Sequence, residues 1–396
     1  MLIRLSKEEF ARRRARIGEE MARRKLDALC LFSPTQGFYL TGFSFLATER
    51  PIGVVYVSGE DRIGLFVPFL EREHAAEAGA DEIRTYPEYP DIRHPMEALS
   101  EFLKDMGVDG KRIGVDADGY GGGYGYVGPR LSEVVPGDVI GAKDLIEEMM
   151  WVKSDEEIDL IRASCKWGDL AHRYLQEYAR AGAVETDVAV RASHRASLEM
   201  VEALDSEFRS MRSGAFPAHA GFRGQVGAQS ALPHALTTNA VLRQGDVLVT
   251  GAASEVGGYL SELERTMILG EPSEEQARYF ELMVAVQELA FDQIRPGRRC
   301  SDVDRPVREF YAEHGIEATW RHHTGHAIGY GMHESPFFDI GDETVIEPGM
   351  VFTVEPGLYV PGFAGFRHSD TVLVTADGMD LLTSYPRDLE SLTLPA

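Results

Sequence analysis

Tyr259-Leu260-Ser261-Glu262-Leu263-Glu264-Arg265-Thr266 is the stretch on which the reading of this chain turns. Glu262 and Glu264 stand two residues apart, so an extended backbone puts both carboxylates on one face of a strand. If that face lines a pocket, two acids are available side by side. If it meets solvent, they are surface charges.

The flanking sequence favours a pocket. Gly245-Asp246-Val247 comes before the acidic stretch. After it come His323-Thr324-Gly325-His326 with His333-Glu334, then Val354-Glu355-Pro356-Gly357, then Arg367-His368-Ser369-Asp370. In this order and spacing the motifs resemble the pita-bread family that includes methionine aminopeptidase, Xaa-Pro dipeptidase (prolidase), aminopeptidase P and creatinase. The resemblance runs from about Trp151 to the C-terminus and, more weakly, through the N-terminal half. It implies an α/β N-terminal domain over residues 1–150 and an α+β pita-bread catalytic domain over residues 151–396. In that catalytic domain helices cover one side of an antiparallel sheet and the pocket lies on the other.

The metallopeptidases of this family bind two divalent ions through two Asp, one His and two Glu. Those positions fall here at Gly251, Glu262, His326, Glu355 and Ser369. Gly251 offers no side chain, and a serine hydroxyl is a poor replacement for a carboxylate against a dication. Two ions about 3.5–4 Å apart need more anionic oxygen than remains. The expectation is therefore a partly dismantled metal site that works without a cofactor. The alternative is a single manganese or zinc ion on Glu262, His326 and Glu355, since two carboxylates and an imidazole make an acceptable open site.

Other residues gain roles from the same resemblance. His234, in Leu232-Pro233-His234, matches a histidine that creatinase uses for proton transfer, and an imidazole titrating near neutrality suits that task. Glu264 and Glu355 match carboxylates that creatinase sets around a cationic guanidinium. Three glutamates without a metal would leave costly negative charge, which favours a cationic substrate. His333, seven residues after His326, falls where the peptidases keep a second histidine at the substrate. His368 is a candidate substitute ligand beside Ser369. Arg50, in Ala47-Thr48-Glu49-Arg50-Pro51, resembles an arginine that crosses a dimer interface to bind a substrate carboxylate, for which a planar guanidinium is well shaped. Arg367 has a similar claim. The plain alternatives are a hydrogen-bonded core histidine for His234 and surface charges for Glu264 and Arg50.

These assignments lead to a hydrolase cutting a carbon–nitrogen bond in a small amidine-, guanidine- or amine-bearing carboxylic acid, as creatinase or an ectoine hydrolase does. His234 would activate water, or Glu262 or Glu264 would attack and form a covalent intermediate. Ser369 stands where creatinase has histidine, which argues against creatine itself. The alternatives are an Xaa-Pro dipeptidase or aminopeptidase with a reduced metal site, and a catalytically silent ligand-binding homologue.

Composition bounds these readings. The 396 residues suffice for two domains. A net charge of −24 repels nucleic acid and anionic lipid. Hydrophobic content is 44% and no apolar run nears a membrane span. No hydrophobic segment follows the charged Met1 to Arg16 stretch, so a cytoplasmic enzyme is expected. Cys30, Cys165 and Cys300 have no paired short spacing and read as reduced structural thiols. A homodimer acting on a small molecule is implied by the resemblance.

Along the chain, Ser6 to Arg24 predicts a capped amphipathic helix. Strands are expected at Asp27–Phe32, Gly53–Val57, Arg62–Val67 and Arg112–Val115, with helices at Glu71–Glu77 and Pro95–Met106. Gly119–Tyr126 reads as a glycine-rich connector. Ser154 predicts the cap of a helix reaching about Ala181, with a second helix over Val184–Leu204. Arg209–Ser230 is a candidate lid.

Overall fold

Ser6 accepts a hydrogen bond from the Glu9 amide at 3.0 Å and opens the helix Lys7–Arg24, which turns Ile17 and Met21 into the N-terminal core. The computed structural model describes residues 2–121, 125–205, 208–211 and 216–395. Parts of the glycine-rich connector (122–124) and of the candidate lid (212–215) thus lie outside the described residues. The chain divides into two compact units, one over Leu5–Met150 and one that begins at Trp151 and also takes in residues 2–4.

The first unit is built on a six-stranded mixed sheet. Its strands run in the order Glu82–Tyr86, Arg62–Pro68, Gly53–Val57, Ala28–Leu31, Arg112–Val115 and Asp138–Gly141. Apolar clusters pack on both faces, one around Leu29, Val54 and Leu65, the other around Cys30, Val55 and Phe102. Two of the expected strands match residue for residue, Gly53–Val57 and Arg112–Val115. The edge strand Glu82–Tyr86 and the Ser33-capped helix Pro34–Thr41 had no prediction.

The second unit carries a ten-stranded sheet. Its main path runs through Glu334–Phe338, Gly325–Ala327, Val351–Val354, Ser369–Val374, Leu263–Leu269, Val247–Val256 and Ala218–Gly221. Every neighbouring pair along this path is antiparallel.

Ser154 and Glu157 cap each other reciprocally at the head of the helix Asp155–Tyr178. That helix stops at Ala179, which turns extended, a little short of the predicted end. The next helix is Glu185–Leu204. The helix Glu274–Gln293, capped by Ser273 and Gln276, and the helix Ser301–Glu313 follow the acidic strand. These helices bond to the sheet through buried side chains. Ser164 donates to the Ser254 carbonyl at 2.5 Å, His172 lies 2.7 Å from the Thr250 hydroxyl, and Gln287 donates to the Val354 carbonyl at 2.9 Å. Among the described residues no helix is long and apolar enough to cross a membrane.

Strand register positions the site. Gly221, Gly251, Glu264 and Ser369 stand opposite one another across four neighbouring strands. Beneath this row the fully buried Arg265 grips Asp370 with two bonds, of 2.7 and 3.2 Å, and locks the two central strands together.

Candidate active site

Carboxylate oxygens of Glu262, Glu264 and Glu355 lie within 4.8 Å of one another, so the acidic face lines a pocket. The three are held differently. Glu264 is buried and is bound by two guanidiniums. Arg367 donates to it from Nη2 at 2.7 Å and meets it again through Nε, and Arg223 donates from its own Nη2. Arg367 in turn donates to the Tyr359 hydroxyl at 2.9 Å, and Tyr359 lies 2.8 Å from His322 Nε2.

Glu355 is fixed through its backbone amide, which donates to the Thr324 carbonyl at 2.8 Å. Its carboxylate lies 3.2 Å from His326 Nε2 and 4.0 Å from Arg367 Nε. Burial alone would raise its pKa, but His326 and Arg367 outweigh burial and hold it well below the usual carboxylate range. Glu262 accepts a 2.8 Å bond from the Ser369 hydroxyl. It is pushed up to about 7, first by burial and then by the charges of Glu355 and Glu264.

His326 shows what the pocket lacks. Its Nδ1 sits 3.0 Å from the Ala327 carbonyl, which places the ring proton there. The fully buried Nε2 has no hydrogen-bond partner among the described residues, although Glu355 stands beside it. A lone pair facing a carboxylate at that distance is unfavourable unless a cation lies between them. A proton can serve: burial, which lowers the imidazole pKa, is outweighed by Glu355 and Glu262, and the group rises to about 9. A metal ion serves equally, and an imidazole whose Nδ1–H is held by a backbone carbonyl is in the state of a metal ligand. The exposed His333 stacks on His326 at 3.8 Å. Ligand atoms of Glu262, His326 and His333 fall within 4.8 Å of one another. Donors bonded to one ion at roughly 2 Å stand about 3–4 Å apart, so small side-chain rotations complete the set. The residues present fit a divalent ion.

Several expectations change. Glu264 is no open carboxylate for a substrate cation, because two arginines already occupy it. Arg367 is buried, and its guanidinium is engaged by Glu264 and Tyr359. His368 projects away from the pocket. It is wholly buried with its ring edge-on to Phe280 at 5.3 Å, because Arg367 and Ser369 take the other face of the extended chain. Arg50 belongs to the N-terminal unit, where it pairs with Glu49 and Glu88. His234 is exposed. Sequence reasoning noted Arg223 only as part of a loop. Its one signal was an isolated cation in a Gly- and Ala-rich segment.

Residues 159–376 match Metallopeptidase family M24, and residues 13–149 match the Creatinase/Prolidase N-terminal domain. An Xaa-Pro dipeptidase of Pyrococcus horikoshii is 28% identical over 376 residues, 94% of this chain and 97% of its own length. A creatinase of a Bacillus species is 26% identical over 401 residues, 96% of this chain and 92% of its own. The solved structure of an Xaa-Pro dipeptidase from Bacillus anthracis superposes with a TM-score of 0.79 at 25% identity, covering 97% of this chain and 100% of that one.

The expectation of a cofactor-free pocket is overturned by the match to a metallopeptidase family together with the gathered glutamate and histidine donors. Loss of carboxylates at Gly251 and Ser369 weighed too heavily in it, because sequence alone did not show His326, His333 and Glu262 converging. This chain belongs to metallopeptidase family M24, in the branch that carries a creatinase/prolidase N-terminal domain.

Proposed function

We propose that this protein hydrolyses short peptides at the amide bond preceding proline, with a divalent metal held by Glu262 and His326 and flanked by Glu355 and His333. The observation that carries this reading is the buried His326 Nε2, aimed at carboxylates with no hydrogen-bond partner among the described residues. The dipeptidase relatives support it.

Charge in the pocket points to the substrate class. Glu264 is paired with the guanidiniums of Arg223 and Arg367, and Arg367 also lies 4.0 Å from Glu355. The half-exposed Arg223 leaves cationic donors at the edge of the site, which suit a ligand that carries a carboxylate. A dipeptide with a free carboxylate satisfies this. Glu264, already engaged by two arginines, is not a free partner for a cationic amidine.

When bound, the metal would polarise the scissile carbonyl and make its water acidic enough to attack at neutral pH. The protein's own groups do the rest. Glu355, kept ionised, can accept a proton from the attacking water, and Glu262 is anchored by the bond it accepts from Ser369. His333, exposed and with its pKa lowered by partial desolvation and by His326, is available to exchange a proton with the departing nitrogen. His234 is exposed to solvent. On the same reading the enzyme is a cytoplasmic homodimer, which size-exclusion chromatography tests.

The test is a panel of Xaa-Pro dipeptides, Xaa-Ala dipeptides, creatine and ectoine, assayed with and without chelator. Proline release that a chelator abolishes and manganese or zinc restores is the expected result. Cleavage of creatine or ectoine, indifferent to chelator, would overturn the reading.

A further inference from the structure

In the row Gly221–Gly251–Glu264–Ser369, Gly251 leaves the place beside Glu264 without a side chain, and one side chain approaches it from outside the row. A Cβ placed on Gly251 would stand 3.4 Å from the Arg223 guanidinium carbon, 3.5 Å from Nη2 and 3.5 Å from Glu264 Oε1. A Cβ there would be in ordinary van der Waals contact, so the guanidinium lies where a longer side chain at Gly251 would extend.

The loop is built to deliver it. Arg223 has a φ of +53°, a left-handed conformation unusual for a residue with a Cβ, and such residues gather at functional sites. Gly224 follows at +74°, where a Cβ would lie 2.0 Å from the Leu236 carbonyl. The buried Glu185 ties the loop down by accepting from the amides of Gly224, Thr238 and Ala240 at 3.1, 2.8 and 3.0 Å. His234 rides on the same anchored segment.

Arg223 spends only one nitrogen on the protein. Nη2 bonds Glu264 and, at 3.3 Å, Gln225, while Nε and Nη1 have no hydrogen bond among the described residues. Its side chain is 49% exposed, against 4% for Arg367. No Lys or Arg occurs between His333 and Arg367 in the sequence.

We propose that Arg223 is the specificity residue that binds the substrate's carboxylate. The guanidinium is held through Nη2 by Glu264 at the edge of the candidate ligand cluster, and its Nε–H and Nη1–H groups remain to donate to a substrate carboxylate. This deepens the peptidase reading above, and its binding test stands apart from that reading.

L-Proline and L-prolinamide are titrated calorimetrically into the purified full-length protein and into the R223A and R223K variants, with melting temperature and metal content measured for each. Wild type is expected to bind proline and to disfavour prolinamide. R223A should lose proline affinity on the order of 100-fold, with melting temperature and metal content retained, and R223K should regain only part of it. In kinetics on Ala-Pro the same loss appears in KM more than in kcat. Equal affinity of wild type for acid and amide, or an R223A protein that still prefers the acid, overturns the proposal. Selective proline binding without Ala-Pro hydrolysis would sustain Arg223 as the anchor while refuting the proposed peptidase activity.

Discussion

His326 Nε2 and Glu355 Oε1 stand 3.2 Å apart, while His326 Nδ1 is tied to the Ala327 carbonyl. Two acceptors at this distance need a shared cation. Replacing Glu355 by Gln keeps the shape and removes the charge. We expect kcat/KM on an Xaa-Pro dipeptide to fall on the order of 10²–10⁴-fold with little change in melting temperature, and activity within a few-fold of wild type would discount Glu355.

Removing a partner of Glu264 is a test of stability. Arg367→Met leaves a buried carboxylate facing only the half-exposed Arg223, and should cost about 3–5 kcal/mol in urea unfolding. The double variant Glu264→Leu with Arg367→Met should recover most of that loss. A single variant as stable as wild type would mean that the pair is not a buried ion pair.

The acid limb of stability follows from His172. It is fully buried against Thr250, and burial depresses its pKa from 6.5 to about 3. The unfolded chain takes up the proton first, so this contribution is complete above about pH 6.5. It is lost as pH falls toward 3, by up to about 1.4 kcal/mol per pH unit. His368, also depressed by burial, acts in the same sense. In His172→Asn the slope of unfolding free energy between pH 6 and 4 should shrink by about one proton, and an unchanged slope would contradict the assignment.

Ser369 donates to Glu262 and so helps to aim it. Ser369→Ala should weaken metal affinity by about 10–100-fold, as loss of an outer-shell partner does, without unfolding the protein. Competition with a chelator of known affinity measures this, and unchanged affinity would remove Ser369 from the site.

The fold and much of the pocket were legible because their signals are local. Caps such as Ser6 and Ser154, the alternation around Glu262 and Glu264, and the order of the His and Glu motifs all lie within short windows. What escaped was set by tertiary geometry. The loss of ligands at Gly251 and Ser369 suggested an uncompensated acidic pocket, but the compensating charge comes from Arg223, some 40 residues from Glu264 in sequence. His368 looked like a spare ligand, yet strand alternation sends it into the helical layer. Whether Glu262 and Glu264 met solvent or a pocket depended on strand neighbours that no local window contains.

Metal content bears most directly on the central claim. The protein, loaded with manganese or zinc and dialysed, is analysed by plasma mass spectrometry alongside the Glu262→Ala and His326→Ala variants. The account predicts that wild type retains the ion in near-stoichiometric amount, that each variant loses it, and that Xaa-Pro cleavage follows metal content. Less than about a tenth of an ion per chain in wild type, or equal retention by both variants, would contradict it.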